Sequence, residues 1–132
     1  TKDIVENYNL MAKAGIHPAD APLFIPPYEW YNEEIAGWAQ GMGLKIVNFT
    51  PGTGSNADYT TPDMKNYRSS KDIFNQIIKV EEADGLNGHL LLVHLGTHPD
   101  RTDKFYNRLD KLIKTLKKRG YTFVPLLDAT GY

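Results

Sequence analysis

The chain has 132 residues, a formal net charge of −1 and no cysteine. This length suits a single domain, or part of one, over residues 1–132, large enough to fold without disulfides. The near-neutral charge argues against a nucleic-acid-binding protein, which normally carries a basic surface, and no apolar run is long enough to span a bilayer.

Apolar residues follow helical and strand-like spacing in turn along the chain. The helical segments carry them three and four positions apart, and Asn32 is a suitable amino-terminal cap for one segment. The strand segments are short apolar runs, and Pro26-Pro27 ends the first because proline cannot donate to a ladder. The predicted elements are, in order, a helix over residues 1–16, a strand over 22–25, a helix over 32–43, a strand over 44–49, a helix over 70–83, a strand over 89–95, a helix over 103–119 and a strand over 121–127.

Four successive helix–strand units predict an α/β fold with parallel strands. The runs at 44–49 and 90–95 are almost entirely apolar, as parallel strands buried on both faces are. A small open sheet and about half of a barrel are both compatible with this pattern. In either architecture, ligands bind at the carboxyl ends of the strands.

The segments that follow the predicted strands are therefore the candidate binding region. One of them, residues 50–69, is a long polar loop of the kind that often carries function. Aromatic and small polar side chains together are typical of a carbohydrate site, because sugars offer apolar faces and hydroxyl groups. The residues expected at this rim are Tyr28, Trp30, Phe49, Asp58, Tyr59, His94 and His98.

Histidine 94 ends the apolar run and has two interpretations. Either its imidazole is delivered to a site, or it is a strand-end histidine that a backbone carbonyl satisfies. His98 is expected to shape the turn that ends at Asp100, and Trp30 to serve either as a sugar platform or as a hydrophobic plug.

Two short motifs and their order give a resemblance to a known family. Pro26-Pro27-Tyr28 follows one predicted strand, and Leu92-Val93-His94 lies at the end of another. This arrangement resembles the polysaccharide deacetylases of carbohydrate esterase family four, specifically the carboxyl-terminal half of their catalytic domain. The resemblance implies alternating βα units that form about half of a deformed (β/α) barrel.

The resemblance also implies roles for individual residues. The Tyr28 backbone N–H would hold the oxyanion of the tetrahedral intermediate, and His94 would be the general acid that protonates the leaving group. The ordinary pKa of a histidine lies near neutral pH, which suits proton transfer. The substrate-binding residues would be Leu92, which lines the acetyl pocket, together with Pro27, Trp30, Asp58 and Tyr59.

The implied activity is metal-dependent removal of acetyl groups from a polysaccharide or oligosaccharide. The family holds a divalent metal, usually zinc, with ligands from two amino-terminal motifs, and we expect neither these ligands nor the catalytic base within residues 1–132. Because the chain begins without Met at the start of a helix, we expect a piece of a longer protein that is inactive alone.

The expected partners follow from the same resemblance. They are an acetylated glycan and either a companion amino-terminal segment or a second copy that covers open sheet edges, with no nucleic acid and no membrane span. The implied location is extracellular, periplasmic or on the cell surface.

Two alternatives remain open at this point. Ile25 stands where the third family motif has arginine, and only the end of the fourth motif survives, at Asp58 and Tyr59. A non-catalytic carbohydrate-binding relative of the deacetylases would explain both departures. An unrelated flavodoxin-like α/β domain would instead have a self-contained sheet.

Overall fold

The computed structural model describes residues 2–131. It contains two compact units, one ending at Asn48 and the other beginning at Phe49. The helices are α1 (Lys2–Lys13), α2 (Glu33–Gly41), α3 (Ser70–Asp84), α4 (Leu109–Lys118) and α5 (Leu126–Ala129), and the strands are β1 (Leu23–Phe24) and β2 (Lys45–Ile46). Short 3₁₀ turns cover Pro18–Asp20, Pro27–Glu29, Ser55–Tyr59 and Phe105–Arg108.

The first unit contains a parallel strand pair joined through a helix. β1 pairs with β2 in parallel, with Leu23 opposite Lys45, and α2 lies between them in the chain. Helix α2 begins after Asn32, whose side-chain oxygen accepts a hydrogen bond of 2.9 Å from the Ile35 N–H. The predicted parallel βα connection and the predicted cap are confirmed here.

The second unit is built on the apolar faces of α3 and α4. Ile73 and Ile77 of α3 pack with Leu112 and Leu116 of α4, and Phe105 completes the centre of this core. The residues of each pair are four positions apart and therefore lie on one helix face, which is why the sequence pattern predicted both helices.

The prediction of a strand over 89–95 is wrong, and its hydrogen bonds give the reason. The Leu90 N–H donates to Thr50 Oγ1 at 3.0 Å, and the Leu90 carbonyl accepts from the Thr50 N–H at 2.9 Å. Further along, the His94 N–H donates to Asp58 Oδ2 at 2.7 Å. Side-chain oxygens thus accept from two backbone N–H groups that would otherwise donate to a neighbouring strand.

The prediction of a strand over 121–127 is also wrong. The Tyr121 N–H is used in closing the end of α4, and Phe123 and Val124 are 50% and 57% exposed. Pro125 is then the cap of α5, because its fixed φ suits a helix start and it has no N–H for a ladder.

The described residues therefore form a helix-rich α/β arrangement with one two-stranded parallel sheet. They show no barrel wall, and the half barrel stays a prediction. Within the same residues, no helix has both the length and the apolar character needed to cross a membrane.

The amino terminus of α3 gives a stability prediction. Ser69 Oγ accepts from the Asp72 N–H at 3.1 Å and donates to Asp72 Oδ2 at 2.6 Å, and this hydroxyl contact lowers the pKa of Asp72. We expect Ser69→Ala to reduce the free energy of unfolding by about 1 kcal/mol at neutral pH, measured by urea denaturation.

The pH dependence of this loss follows from the lowered pKa of Asp72. Stabilisation of the ionised carboxylate is present above the ordinary aspartate pKa and disappears as the pH falls through the lowered value. The difference in the free energy of unfolding between wild type and Ser69→Ala should therefore be smaller at acid pH than at neutral pH. Asn75→Ala, an exposed change within α3, is the control, and an equal loss at both pH values would contradict the explanation.

Candidate functional site

The site is centred on the 3₁₀ turn Ser55–Tyr59, which carries Asp58. Gly54 precedes the turn in the left-handed conformation, with φ of 69°, which glycine adopts without steric cost. Thr60 closes it, since its N–H and its hydroxyl both donate to the Ala57 carbonyl, at 3.1 and 2.7 Å. The Asp58 side chain inside this turn is fully buried.

The apolar run at 90–95 brings His94 to this turn. Leu91 and Val93 pack against the core of the second unit, whereas Leu92 is half-buried and lies outside that cluster. The run is held at its start by the reciprocal hydrogen bonds between Leu90 and Thr50. The backbone that leads to His94 is therefore held in place by the hydrogen bonds of Leu90.

Asp58 binds His94 with both carboxylate oxygens. Oδ2 accepts from the His94 N–H at 2.7 Å, and Oδ1 lies 2.7 Å from the imidazole Nδ1. Because a carboxylate only accepts, Nδ1 carries the proton of this contact. The His94 side chain remains 34% exposed, and Nε2 is the ring nitrogen that Asp58 does not engage.

Tyr59 lies beside the imidazole and borders an open depression. Its ring meets the His94 ring edge to face, with centroids 5.9 Å apart and an interplanar angle of 72°. The depression has a volume of about 350 Å³. Its lining combines one aromatic ring, hydroxyls and carboxylates, and consists of Tyr59, Thr61, Asp63, Met64, Gly96, Thr97, His98 and Asp100.

The predicted residues Pro27, Tyr28 and Trp30 lie in the first unit. Tyr28 and Trp30 are 89% and 82% exposed, so neither is a hydrophobic plug within that unit. The hydrogen bonds of the 3₁₀ turn are donated by Glu29 to Pro26 and by Trp30 to Pro27. Neither of them uses the Tyr28 N–H, which the resemblance assigns to the oxyanion.

The backbone around Tyr28 is also unusual. Tyr28 and Glu29 have positive φ values of 56° and 58°, a region that side chains other than glycine occupy at a cost and that is enriched at functional sites. The Glu29 carbonyl accepts from Asn48 Nδ2 at 3.1 Å, which helps hold this conformation.

The structure thus brings together Asp58, Tyr59 and His94, and places Pro27, Tyr28 and Trp30 in the separate first unit. Of the other histidines, His98 accepts from the Asp100 N–H at 3.3 Å. This contact confirms the expectation that His98 shapes the turn.

The implied metal has no ligand set in the described part of the chain. His94 and His98 are four residues apart, and with Nδ1 of each engaged, by Asp58 and by the Asp100 N–H respectively, only Nε2 of each ring would remain for a metal. No group of three or more His, Cys, Asp or Glu side chains among residues 2–131 is placed to hold one ion. These residues alone do not fit the metal.

One prominent residue of the site region escaped the sequence analysis. Arg101 is fully buried, and its guanidinium donates to Thr60 beside the Asp58 turn. A charged residue in a polar turn gives no sign of burial, so no local pattern would have singled it out.

Comparisons with known proteins add no relative. No family model, no curated protein and no solved structure matches the chain.

The double contact of Asp58 yields a test by substitution. In Asp58→Asn an amide NH₂ replaces one acceptor, so one of the two His94 contacts is lost. We expect hydrogen exchange of the His94 backbone amide to rise about tenfold or more. We also expect the ¹⁵N signals of the ring to show a smaller fraction of the tautomer protonated at Nδ1.

Asp128→Asn, a change of the same kind at an exposed position, is the matched control and should leave both His94 signals unchanged. Wild-type exchange and an unchanged tautomer in a folded Asp58→Asn protein would show that the carboxylate does not organise His94.

Proposed function

We propose that this chain is the part of a metal-dependent deacetylase that carries the general acid, acting on an acetylated polysaccharide or oligosaccharide. In this proposal the chain corresponds to about half of a deformed (β/α) barrel of the polysaccharide deacetylase type. The observation that carries it is the contact between buried Asp58 and partly exposed His94. Both residues fall at positions where the sequence resembles family motifs.

The proposed chemistry needs a proton donor at the leaving group. Water adds to the acetyl carbonyl carbon, and the resulting tetrahedral intermediate breaks its bond to the sugar nitrogen or oxygen. The departing atom takes a proton, which we assign to Nε2 of protonated His94. Asp58 would hold the ring in position and stabilise its positive charge before the transfer, as the carboxylate does in other histidine-based sites.

The remaining roles concern binding. The resemblance assigns the oxyanion contact to the Tyr28 N–H, which the turn hydrogen bonds within the first unit leave unused. Tyr59 and the depression beside it offer an aromatic ring with hydroxyl and carboxylate acceptors, a combination that suits a sugar. Trp30, exposed in the first unit, is proposed as a further sugar platform.

The catalytic base and the metal ligands are proposed to come from outside residues 1–132. A companion segment of the same protein or a second chain could supply them, and an extracellular, periplasmic or cell-surface location would give access to a glycan.

A non-catalytic carbohydrate-binding relative is the second candidate. Ile25 in place of the motif arginine favours it, because the family uses that arginine to orient the base. The exposed aromatic side chains of Tyr28 and Trp30 suit glycan binding without hydrolysis.

An acetate-release assay separates the two candidates. Residues 1–132 alone, with Zn²⁺ and N-acetylated chito-oligosaccharides or acetylated xylan, should release no acetate. They should release it when joined to a segment that carries the two amino-terminal motifs of the family, Thr-Phe-Asp-Asp and His-x-x-x-His, which hold the metal ligands and the catalytic base. His94→Ala should then lower kcat by about 10²–10⁴-fold, the usual contribution of a general acid.

His89→Ala removes a histidine that makes no contact with Asp58 and is the matched control, with kcat expected near wild type. Glycan binding without acetate release, equal in wild type and His94→Ala, would favour the binding module. The proposal would be overturned if the joined protein showed no glycan binding and no acetate release. It would also be overturned if residues 1–132 alone released acetate and His94→Ala left that release unchanged.

A further inference from the structure

Arg101 is a buried cation without a carboxylate partner in the described part of the chain. Its residue exposure is 0%, and none of the ion pairs within residues 2–131 includes it. Its guanidinium carbon lies 5.4 Å from the centre of the Tyr67 ring. Its Nε has no hydrogen-bond partner among the residues that the structure describes.

The hydrogen bonds of Arg101 join two separate segments. Nη1 donates to the Thr60 carbonyl at 2.6 Å, and Nη2 donates to Ser70 Oγ at 3.3 Å. Thr60 closes the turn that carries Asp58, and Ser70 begins α3, whose body forms the core. The side chain therefore ties the Asp58 turn to the rigid part of the unit.

Burial of this charge calls for a physical reason. An unpaired buried cation costs free energy, and its hydrogen bonds to neutral oxygens offset only part of that cost. Net stability is therefore a poor explanation for Arg101. A planar fork that reaches two acceptors at once is a suitable device for fixing geometry, which a lysine cannot reproduce.

The segment that contains Arg101 is itself fixed to α3. The Ser70 N–H donates to Asp103 Oδ2 at 2.6 Å, and Ser70 Oγ donates to the Asp103 carbonyl at 2.8 Å. Ser70 thus binds both the Arg101 guanidinium and Asp103, which lies two residues further along the chain.

We infer that Arg101 is a positioning residue for the Asp58–His94 pair, acting through Thr60. Asp58 meets two donors of His94 at 2.7 Å each, and hydrogen bonds of this kind weaken steeply with misalignment. A turn released at Thr60 no longer holds the carboxylate on both donors. Only the consequence for catalysis rests on the proposed function, because the geometry of the pair can be measured without substrate.

The test uses Arg101→Lys, which keeps the charge and loses the fork. In a folded variant we expect hydrogen exchange of the His94 amide to rise about tenfold, with Ile77 in the core unchanged. The ¹⁵N spectrum should show a smaller fraction of the His94 tautomer protonated at Nδ1. Arg108→Lys, the same change at an arginine outside these contacts, is the matched control and should resemble wild type.

A second variant keeps the inference falsifiable if Arg101→Lys does not fold. Ser70→Ala removes the acceptor at the α3 end while Thr60 keeps its contact, so we expect a smaller rise in His94 exchange. Wild-type exchange and tautomer ratio in folded Arg101→Lys would overturn the inference. If that variant is unfolded, the same result in Ser70→Ala would overturn it.

The kinetic readout separates this inference from the proposed function. In a deacetylase that contains residues 1–132, Arg101→Lys should lower kcat more than it changes KM. The reason is that the variant disturbs the general acid, His94, and leaves the sugar contacts in place. If the protein joined to the amino-terminal segment has no deacetylase activity while its His94 signals still respond to Arg101→Lys, the positioning role is supported and the proposed function is contradicted.

Discussion

The arrangement of the second unit around His94 depends on the hydrogen bonds that the Asp58 carboxylate accepts. Asp58 is fully buried, and its two oxygens accept from the backbone and from the ring of His94. A buried carboxylate must be satisfied in this way, because an unpaired one would be costly. The contact therefore links the turn at residues 55–59 to the end of the apolar run, and it fixes a histidine where solvent can reach it.

This part of the chain has a polar layer beside its apolar core. Ile73 and Ile77 occupy the core face of α3, whereas the start of that helix meets Arg101 and the residues around the Asp58 turn. Asp58 and Arg101 are both buried, but they do not pair with each other: Asp58 accepts from His94, and Arg101 donates to the Thr60 carbonyl. Such an arrangement adds little net stability but favours one geometry over others. The buried polar residues of this layer are Thr53, Ser55, Asp58, Thr60, Thr61, Ser70 and Arg101.

Local patterns predicted α1, α2 and α3, but the helix predicted over 103–119 is α-helical only over Leu109–Lys118, and α5 was missed. They predicted the strands only in part. The spacing that predicted a helix over 70–83 agrees with α3, which ends at Asp84. The runs at 22–25 and 44–49 do contain the paired strands, although each strand is only two residues long. The run at 89–95 is equally apolar, but apolar content does not reveal whether a backbone neighbour is another strand or a side chain.

The sequence by itself determined the helical faces, the cap at Asn32 and the residue types of the candidate site, because these depend on near neighbours in the chain. Only the tertiary structure decided that Asp58 and His94 meet, since 36 residues separate them. It also decided that Arg101 is buried, 41 residues beyond the Thr60 that it binds. Contacts between distant segments depend on how the whole unit packs, and no local spacing encodes them.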